Sequence, residues 1–345
     1  MPGAISDLPE INRKKSELAK PAHPDLSNLE DILIWTSKYK DIVLDRLQDY
    51  LQSSQLLEAS NSLLLAVSGG PDSMAMLHLF CRMRERWNLR LEVVHLNHGI
   101  RGKEGDEDAG FVNEACKHLG IPFRLFQFNV PKYAKEKKLS IEEAGRQIRF
   151  HFFCRYAKAK KFDRMAFAHT ADDQAETILL NLFRGAGPRG LSGIPVRNGL
   201  VIHPMLKFRK KELLQFLEDH ELQYRVDKSN ETRDYARNRV RLEVLPFLEE
   251  RLQRNIRENL IRTAEIVSEE EAWFEKQITV LFQKRFRLCG KGISRLELPS
   301  EDELPPPLER RLVRKFLESS LGTLDGVTFH HIEEVRKLLQ KENGK

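Results

Sequence analysis

The sequence predicts an α/β fold in which a parallel sheet is followed by a smaller, mainly helical domain. Up to about residue 246, short apolar runs alternate with segments of helical period, which is the rhythm of strand–helix–strand units. Beyond Pro246 the strand signal nearly vanishes and amphipathic helices remain. The length of 345 residues exceeds what one compact core usually holds, so two domains are expected.

The predicted strands follow a polar leader and a helical segment. Residues 1–28 show no hydrophobic period and are predicted to form a flexible N-terminal extension. In 29–57 apolar residues recur at helical spacing, which indicates one or two amphipathic helices. The predicted strands of the sheet are 63–68, 91–96, 123–130, 164–168 and 200–202.

The predicted helices of the second domain begin just after the last strand. They cover 247–287, 308–321 and 328–341, with a proline-rich break at 304–308. The predicted domains are therefore the extension 1–28, the α/β domain 29–245 and the helical domain 246–345.

The composition is typical of a globular chain, with 41% hydrophobic and 31% charged residues. No apolar run approaches the roughly 18 residues that cross a bilayer. The first 20 residues mix acidic and basic side chains without an apolar stretch, unlike a targeting segment. We therefore expect a cytoplasmic protein that does not interact with membranes.

The net charge and the cysteine content bear on the partners and the kinds of site that this protein can have. The net charge of +6 is compatible with a polyanionic partner and equally with a mildly basic enzyme. The cysteines are widely scattered without a C-x-x-C pair, which favours isolated buried thiols over a zinc site or a disulfide framework. They are Cys81, Cys116, Cys154 and Cys289.

A glycine-rich turn follows the first predicted strand. It consists of Ser68, Gly69, Gly70, Pro71, Asp72 and Ser73. Glycines let backbone N–H groups approach a phosphate, a helix N-terminus adds partial positive charge, and serines can donate to phosphate oxygens. An acid beside a phosphate is repelled unless a divalent cation lies between them, so Asp72 favours a nucleotide with Mg²⁺. The alternative is a tight turn in which Asp72 only caps the helix.

Two other nucleotide-binding motifs fit less well. No G-x-x-x-x-G-K-[ST] occurs, which excludes the P-loop design. A G-x-G-x-x-G occurs at 185–190, but it follows a helical segment instead of a strand, so we do not expect a dinucleotide site there.

The glycine-rich turn after a buried strand resembles the pyrophosphatase loop (PP-loop) of the N-type ATP pyrophosphatases. Further segments resemble the tRNA(Ile)-lysidine synthetase family, in that family's motif order and over roughly 40–340. These segments are 95–102, 142–150, 168–177, 227–230 and 237–241. Three positions differ from the residues that the family uses more often, namely Phe150, Thr170 and His203.

The resemblance implies a Rossmann-like parallel sheet of the PP-loop ATPase type and a ligase that uses ATP and Mg²⁺. Members of the family adenylate the wobble cytidine in the CAU anticodon of a minor tRNA(Ile). They then join free L-lysine to the base through its ε-amine and release AMP and pyrophosphate. The implied partners are that tRNA and free lysine, and a homodimer is an open alternative.

Residues at the end of the second predicted strand and on the helix that begins after Ser140 fit a nucleotide site. His95 and Asn97 share one face at the carboxyl end of their strand and are candidates for adenine recognition, with a hydrogen-bonded core histidine as the alternative. Ser140 opens a helix that carries Arg146 and Arg149 on one face. These arginines would hold ATP phosphate or charge on the cytidine oxygen, or would simply be solvated.

Acidic residues follow the fourth predicted strand. Asp173 and Glu176 project from one helix face and are candidates to hold the ammonium groups of lysine or to accept a proton from its ε-amine. His169 is the rival base. Acids favour helix N-termini in any case, and Asp172 is expected to be a simple helix cap.

Two basic segments are candidates for tRNA contact. Arg184 and Arg189 belong to a flexible glycine-rich loop. Arg237, Arg239 and Arg241 lie in a segment whose rows of arginine are suited to phosphates, unless they form a plain solvated helix.

Three rival functions share parts of this pattern. A PP-loop tRNA cytidine thiolase would need paired cysteines, a small-molecule amidotransferase-type synthetase would not need the basic 233–241 segment, and a silent RNA-binding module would not need Asp72.

Overall fold

The computed structural model describes residues 41–226, 236–252, 255–288, 294–296, 304–324 and 326–342. By its internal contacts the chain divides into two compact units, Met1–Asp45 and Arg46–Lys345. Only the last residues of the first unit are described, where helix α1 (Ile42–Ser53) begins. The sheet and every candidate site residue belong to the second unit.

The sheet confirms the predicted α/β class. Its strands are β1 Ser62–Ala66, β2 Arg90–Asn97, β3 Phe123–Gln127, β4 Arg164–Phe167, β5 Arg197–Asn198 and β6 Val201–Ile202. Their order is β3-β2-β1-β4-β6-β5, and the pairs are parallel except for β5 against β6. Helices cover both faces, so Leu63, Leu64 and Leu65 of the central strand β1 are fully buried.

The helices between the strands are α2 Pro71–Met83, α3 Lys103–His118, α4 Val130–Lys137, α5 Ile141–Ala159, α6 Ala171–Phe183 and α7 Pro188–Leu191, and α8 Lys210–Asp219 follows the sheet. Capping side chains stabilise the N-termini of two of these helices. Ser140 accepts a hydrogen bond from the Glu143 N–H at the start of α5, as predicted. Thr170 and Asp173 form a reciprocal capping box at the start of α6.

One edge of the sheet brings the candidate residues together. Strand β1 lies between β2 and β4, so the chain leaves β1 towards one side of the sheet and later returns on the other. Such a reversal opens a crevice at the carboxyl ends of the strands. Ala66 pairs with Phe167 in register, which places the glycine-rich turn beside the start of α6.

The described residues that follow the α/β part are mainly helical, as predicted. Its elements are α9 Ala236–Arg239, a π-helix Val240–Val244, α10 Leu245–Arg251, α11 Ile256–Arg285, α12 Pro306–Leu321 and α13 Phe329–Glu342. Val240 and Leu245 pack against Leu179 of α6 and anchor this region on the α/β part. The predicted domain boundary at 245 falls at the start of α10, and the division into domains stays a prediction.

A small hairpin was not predicted. Strands β7 Phe286–Leu288 and β8 Ser294–Leu296 pair antiparallel after the long helix α11. Strands of three residues are too short to give an alternating pattern that can be recognised in the sequence. Within the described parts of the chain, no helix is long and apolar enough to cross a membrane.

Candidate functional site

The glycine-rich turn has the shape of a phosphate cradle. The Ser73 hydroxyl donates to the Gly70 carbonyl at 2.9 Å and accepts from the Ser68 N–H at 3.1 Å, which fixes the loop from inside. Gly69 has a φ of +91°, a conformation that favours glycine. Gly70 is the N-cap of α2, and among the described residues no side chain accepts a capping hydrogen bond from the N–H groups of this helix start. Asp72 is therefore not the cap, and the helix N-terminus is open to an anion.

Asp72 presents a carboxylate oxygen that lacks a partner. Among the described residues nothing donates to its buried Oδ1, and its Oδ2 lies 3.8 Å from the Lys210 ammonium. Burial raises the pKa of Asp72 to about 6, against the opposing effect of Lys210. An orphaned hard oxygen beside a phosphate cradle fits Mg²⁺, which commonly uses one or two carboxylates together with substrate phosphates. In the described part of the chain no cluster of three or more metal-ligating side chains exists, so phosphates would complete the shell.

Asp173 lies in a ring of donors. Its Oδ2 accepts from the N–H and the hydroxyl of Thr170, both at 2.8 Å. Its Oδ1 lies 3.2 Å from the Lys210 ammonium and 3.1 Å from Nη2 of Arg237. Burial alone would raise the pKa of Asp173, but the surrounding cations hold it well below its usual range. Asp173 is thus ionised and already oriented towards an ammonium group.

Glu176 is enclosed by two arginines. It has no exposed surface, and its two oxygens accept from Nε of Arg241 at 2.6 Å and from Nε of Arg237 at 2.8 Å. Burial lowers the pKa of both guanidinium groups, but the carboxylates of Asp173 and Glu176 raise it above the usual value. Arg241 lies in the π-helix, a rare distortion that is frequent at functional sites.

Asp172 is not the simple cap that we expected. Thr170 occupies the N-cap position, so the Asp172 carboxylate is free to bind other elements. It accepts from the Lys210 N–H at 2.8 Å, from Nε of Arg209 at 3.2 Å and from Nη1 of Arg257 at 3.0 Å. Asp172 therefore ties the starts of helices α8 and α11 to α6.

His169 faces a cationic group of side chains. Its ring centre lies 4.8 Å from that of His203, whose Nδ1 donates to the Pro195 carbonyl at 2.7 Å. Burial and His203 lower the pKa of His169 to about 3, and its buried Nδ1 has no partner among the described residues. The structure also brings Arg149 and Arg146 to this group, since the charge of Arg149 lowers the pKa of His169 and that of Arg146 lowers the pKa of His203.

The two predicted arginines of α5 differ in burial. Arg146 is exposed, whereas Arg149 is half-buried and its buried Nε has no acceptor in the described structure. Burial lowers the pKa of Arg149, and the nearby charge of Arg146 adds to this effect. A desolvated guanidinium with an unpartnered Nε is well suited to stabilise a phosphate or a developing negative charge.

The second strand contributes His95 and Asn97 to the same edge. The buried His95 donates from Nδ1 to the Val67 carbonyl at 2.8 Å, which leaves Nε2 as an acceptor. Asn97 donates to Asp106 at 2.8 Å and lines an open cavity of about 350 Å³ together with Phe128. The position of both residues agrees with a nucleoside pocket, although both also serve the local structure.

The residues predicted to contact tRNA divide into two groups. Arg184, Arg189 and Arg239 are exposed. Arg237 and Arg241 instead direct their guanidinium groups to Glu176 and Asp173. The neighbouring segment 227–235, with Arg233, lies outside the described residues.

Sequence reasoning missed Lys210, whose ammonium lies between Asp72 and Asp173. A signal for it exists in the chain. Arg209, Lys210 and Lys211 stand together where a helix begins, although the helix dipole disfavours cations there. Such a cluster indicates that carboxylates of another element approach this helix start.

Comparisons with known proteins show which family the sequence resembles. A family described as the PP-loop domain matches residues 40–248, more than half of the chain. The tRNA(Ile)-lysidine synthase of Caldanaerobacter subterraneus is 36% identical over 87% of this chain and 64% of its own length. That of Chlorobaculum tepidum is 40% identical over 68% of this chain and 70% of its own length.

The solved structures include a likeness in fold. The U34-tRNA thiolase NcsA from Methanococcus maripaludis, solved with its [4Fe-4S] cluster, has a TM-score of 0.55 at 21% identity. The match covers 66% of this chain and 81% of that chain. Against several of the lysidine synthases, including that of Clostridioides difficile at 31% identity, this chain spans 64% of the relative's length. By its sequence matches and its PP-loop fold, the chain belongs to the tRNA(Ile)-lysidine synthase family of PP-loop proteins.

Proposed function

We propose that the chain ligates L-lysine to the wobble cytidine in the CAU anticodon of a minor tRNA(Ile), at the expense of ATP. The observation that carries the proposal is one crevice that joins an open phosphate cradle, the orphaned Asp72 oxygen and the ionised Asp173. The names of the relatives, tRNA(Ile)-lysidine synthases, support the choice of substrates.

ATP would bind with its phosphates on the turn 68–73. Backbone N–H groups at the N-terminus of α2 would face the phosphates. Gly70 has no side chain and therefore leaves room for them. Asp72 would hold Mg²⁺, which neutralises phosphate charge. His95 and Asn97 would contact the nucleoside at the end of β2.

The first step transfers an adenylyl group to the base. The cytidine oxygen attacks the α-phosphorus of ATP, a P–O bond to the β-phosphate breaks, and pyrophosphate leaves. We assign Arg149 to the negative charge of this step, because its guanidinium is desolvated and its buried Nε has no acceptor in the described structure. Arg146, which is more exposed, would guide the phosphates.

The second step joins lysine to the base. The ε-amine attacks the activated carbon, the C–O bond to the adenylyl group breaks, and AMP leaves. We assign the substrate's ammonium to Asp173, since this carboxylate already binds the primary ammonium of Lys210 at 3.2 Å. Glu176 supports Asp173 indirectly by fixing Arg237 and Arg241.

The attacking amine must lose a proton, because a free ε-ammonium has a pKa of about 10.4. Of the three candidate bases, Glu176 is engaged by two arginines, and cations hold the pKa of Asp173 below its usual range. His169 has an unpartnered ring nitrogen, yet burial also lowers its pKa, to about 3. We therefore assign charge binding to Asp173 and assign the base role to none of the three.

The tRNA would contact the exposed arginines of the predicted set. Arg184, Arg189 and Arg239 lie at the surface, and phosphate contacts from such residues position an RNA without reading its bases. Arg237 and Arg241 would act on the carboxylates of the site instead. The cytoplasmic location and a homodimer remain predictions of the sequence.

A tRNA thiolase is the second candidate, and the cysteines argue against it. Burial raises the pKa of the Cys81 and Cys116 thiols to about 12, so both are protonated and weakly nucleophilic. Cys81, Cys116 and Cys154 are free thiols. A variant with all four cysteines replaced by serine should keep its activity if it folds.

The test supplies purified protein with ATP, Mg²⁺, radiolabelled lysine and tRNA(Ile) transcripts with a CAU or a GAU anticodon. We expect pyrophosphate release to require the CAU transcript, and AMP release to require lysine as well. Lysine should be recovered in the RNA. Pyrophosphate release that ignores the anticodon, or AMP release without lysine incorporation, would contradict the proposed function.

A further inference from the structure

Helix α12 carries one cation that has no hydrogen-bond or ion-pair partner among the described residues. Its other cations pair with carboxylates: Arg310 with Glu333 at 2.6 Å, Arg311 with Glu271, and Lys315 with Glu275. Arg314 differs. It is half-buried, and among the described residues no group accepts a hydrogen bond from it or forms an ion pair with it.

A second cation lies near Arg314 and comes from the glycine-rich loop that carries Arg184 and Arg189. Arg189 of α7 lies 3.9 Å from Glu318, and Glu318 stands four residues after Arg314 on the same helix. Residues four apart share a helix face, so Glu318 places Arg189 and Arg314 beside each other. The electrostatics agree, because burial and the charge of Arg189 lower the pKa of Arg314 despite the opposing effect of Glu318.

The local charges do not balance. Three guanidinium groups, of Arg189, Arg311 and Arg314, face the two carboxylates of Glu271 and Glu318. The Arg189–Glu318 pair is long and exposed, a kind of pair that contributes little to stability. The place therefore retains positive charge and unused hydrogen-bond donors, which suit an anion with several oxygens.

The position of Arg189 and Arg314 relative to the candidate site favours an RNA phosphate as the bound anion. Helix α6 starts with Asp173 and Glu176 and leads directly into the loop that carries Arg189. From Glu176 to Arg184 the helix rises about 12 Å, at about 1.5 Å per residue. A nucleic acid whose base reaches the carboxylates can thus place a neighbouring part of its backbone at the loop.

We propose that Arg189 and Arg314 bind one backbone phosphate of the RNA substrate between them, at the junction of the glycine-rich loop and α12. This inference rests on the proposed function. It adds Arg314, which no sequence motif indicates, and it states that both arginines serve the same phosphate.

The experiment measures the dissociation constant of the CAU transcript at several salt concentrations. The variants are Arg189→Gln, Arg314→Gln and the double variant, and Arg310→Gln is the matched control because its charge is already paired. One phosphate contact contributes a slope of about 0.9 in the plot of log affinity against log salt. We expect the double variant to lose about 0.9, each single variant to lose part of it, and the control to lose nothing.

Arg314→Lys should keep most of the affinity, since it retains the charge. Unchanged RNA affinity and slope in the double variant would overturn the inference, and a loss of about 1.8 would show two separate phosphates and overturn the shared site. Lysine incorporation by the unaltered chain separates the two proposals. If the unaltered chain incorporates lysine while the double variant binds RNA normally, only this inference fails. If the unaltered chain binds no tRNA, this inference and the proposed function both fail.

Discussion

Arg241 and Glu176 meet fork to fork, with Nε on Oε1 at 2.6 Å and Nη2 on Oε2 at 3.0 Å. The residues come from the π-helix and from α6, and Glu176 has no exposed surface. A paired buried charge of this geometry orients both elements, whereas the same charge left alone is costly. The pair therefore gives Glu176 a role in holding the site together.

Glu176→Gln should destabilise the fold by about 3 kcal/mol, because it leaves two half-buried arginines with Asp173 as their remaining counter-charge. The measurement is the free energy of unfolding from urea titrations. Glu142→Gln is the control, since Glu142 is exposed and lies 4.0 Å from Arg237. Normal stability of Glu176→Gln combined with a raised lysine requirement would instead favour direct contact of Glu176 with lysine.

Asp173→Asn should leave adenylation in place and raise the lysine requirement. Loss of a hydrogen bond between charged groups costs roughly 1.5 to 3 kcal/mol, or about ten- to hundredfold in the lysine concentration needed. Single-turnover experiments that follow the tRNA adenylate and lysine incorporation separately would measure this. Failure at adenylation with unchanged lysine dependence would assign Asp173 to ATP or to the metal.

The two glycines of the turn should respond differently to substitution. Gly70 has a φ of −73°, and an added Cβ would meet only the Ser68 hydroxyl at 3.6 Å, so Gly70→Val should fold and lose ATP binding. Gly69 has a φ of +91°, so Gly69→Ala should lose about 1 to 2 kcal/mol of stability. Urea midpoints and ATP titrations of both variants would check this. ATP turnover by Gly70→Val would contradict the phosphate cradle.

Acid should destabilise the chain partly through His169. Burial lowers the pKa of His169 from an ordinary 6.5 to about 3, so between these values the unfolded chain binds a proton that the folded chain does not. The contribution is complete above pH 6.5 and is lost as the pH falls towards 3, by at most about 1.4 kcal/mol per pH unit.

His169→Asn should therefore have a flatter stability profile than the unaltered chain between pH 7 and pH 5. Urea midpoints at three pH values in this range would measure the difference, and the exposed His118→Asn is the control. Parallel profiles for the unaltered chain and His169→Asn would mean that His169 titrates normally in the fold.

Substitutions of Arg239 and Arg241 should affect different properties, namely RNA binding for Arg239 and stability for Arg241. Arg239→Ala removes an exposed cation and should lower the salt slope of tRNA binding by about 0.9 while stability stays the same. Arg241→Ala should instead lower stability, because it leaves Glu176 buried with one partner less. The reverse pattern would show that Arg241 faces the RNA.

The sequence alone predicted the alternation of the main strands and helices, the phosphate turn and the family, but not strand β5 or the β7–β8 hairpin. These features depend on a few neighbouring residues, so they can be recognised without knowledge of the fold. They are the alternation of apolar runs, the glycines of 68–73 and the capping of α5 by Ser140. The carboxyl ends of parallel strands share one edge, which also placed His95 and His169 near the turn.

Which charged side chains meet depends on the docking of helices in the folded chain and not on local sequence. Lys210 and Asp173 are 37 residues apart in the chain, and Arg257 and Asp172 are 85 residues apart. Many carboxylates and cations of the chain could pair in principle, and the choice depends on how helices α8 and α11 dock on α6. For this reason the sequence indicated Arg237 and Arg241 as RNA ligands, whereas the fold directs them to buried carboxylates that local pattern could not assign.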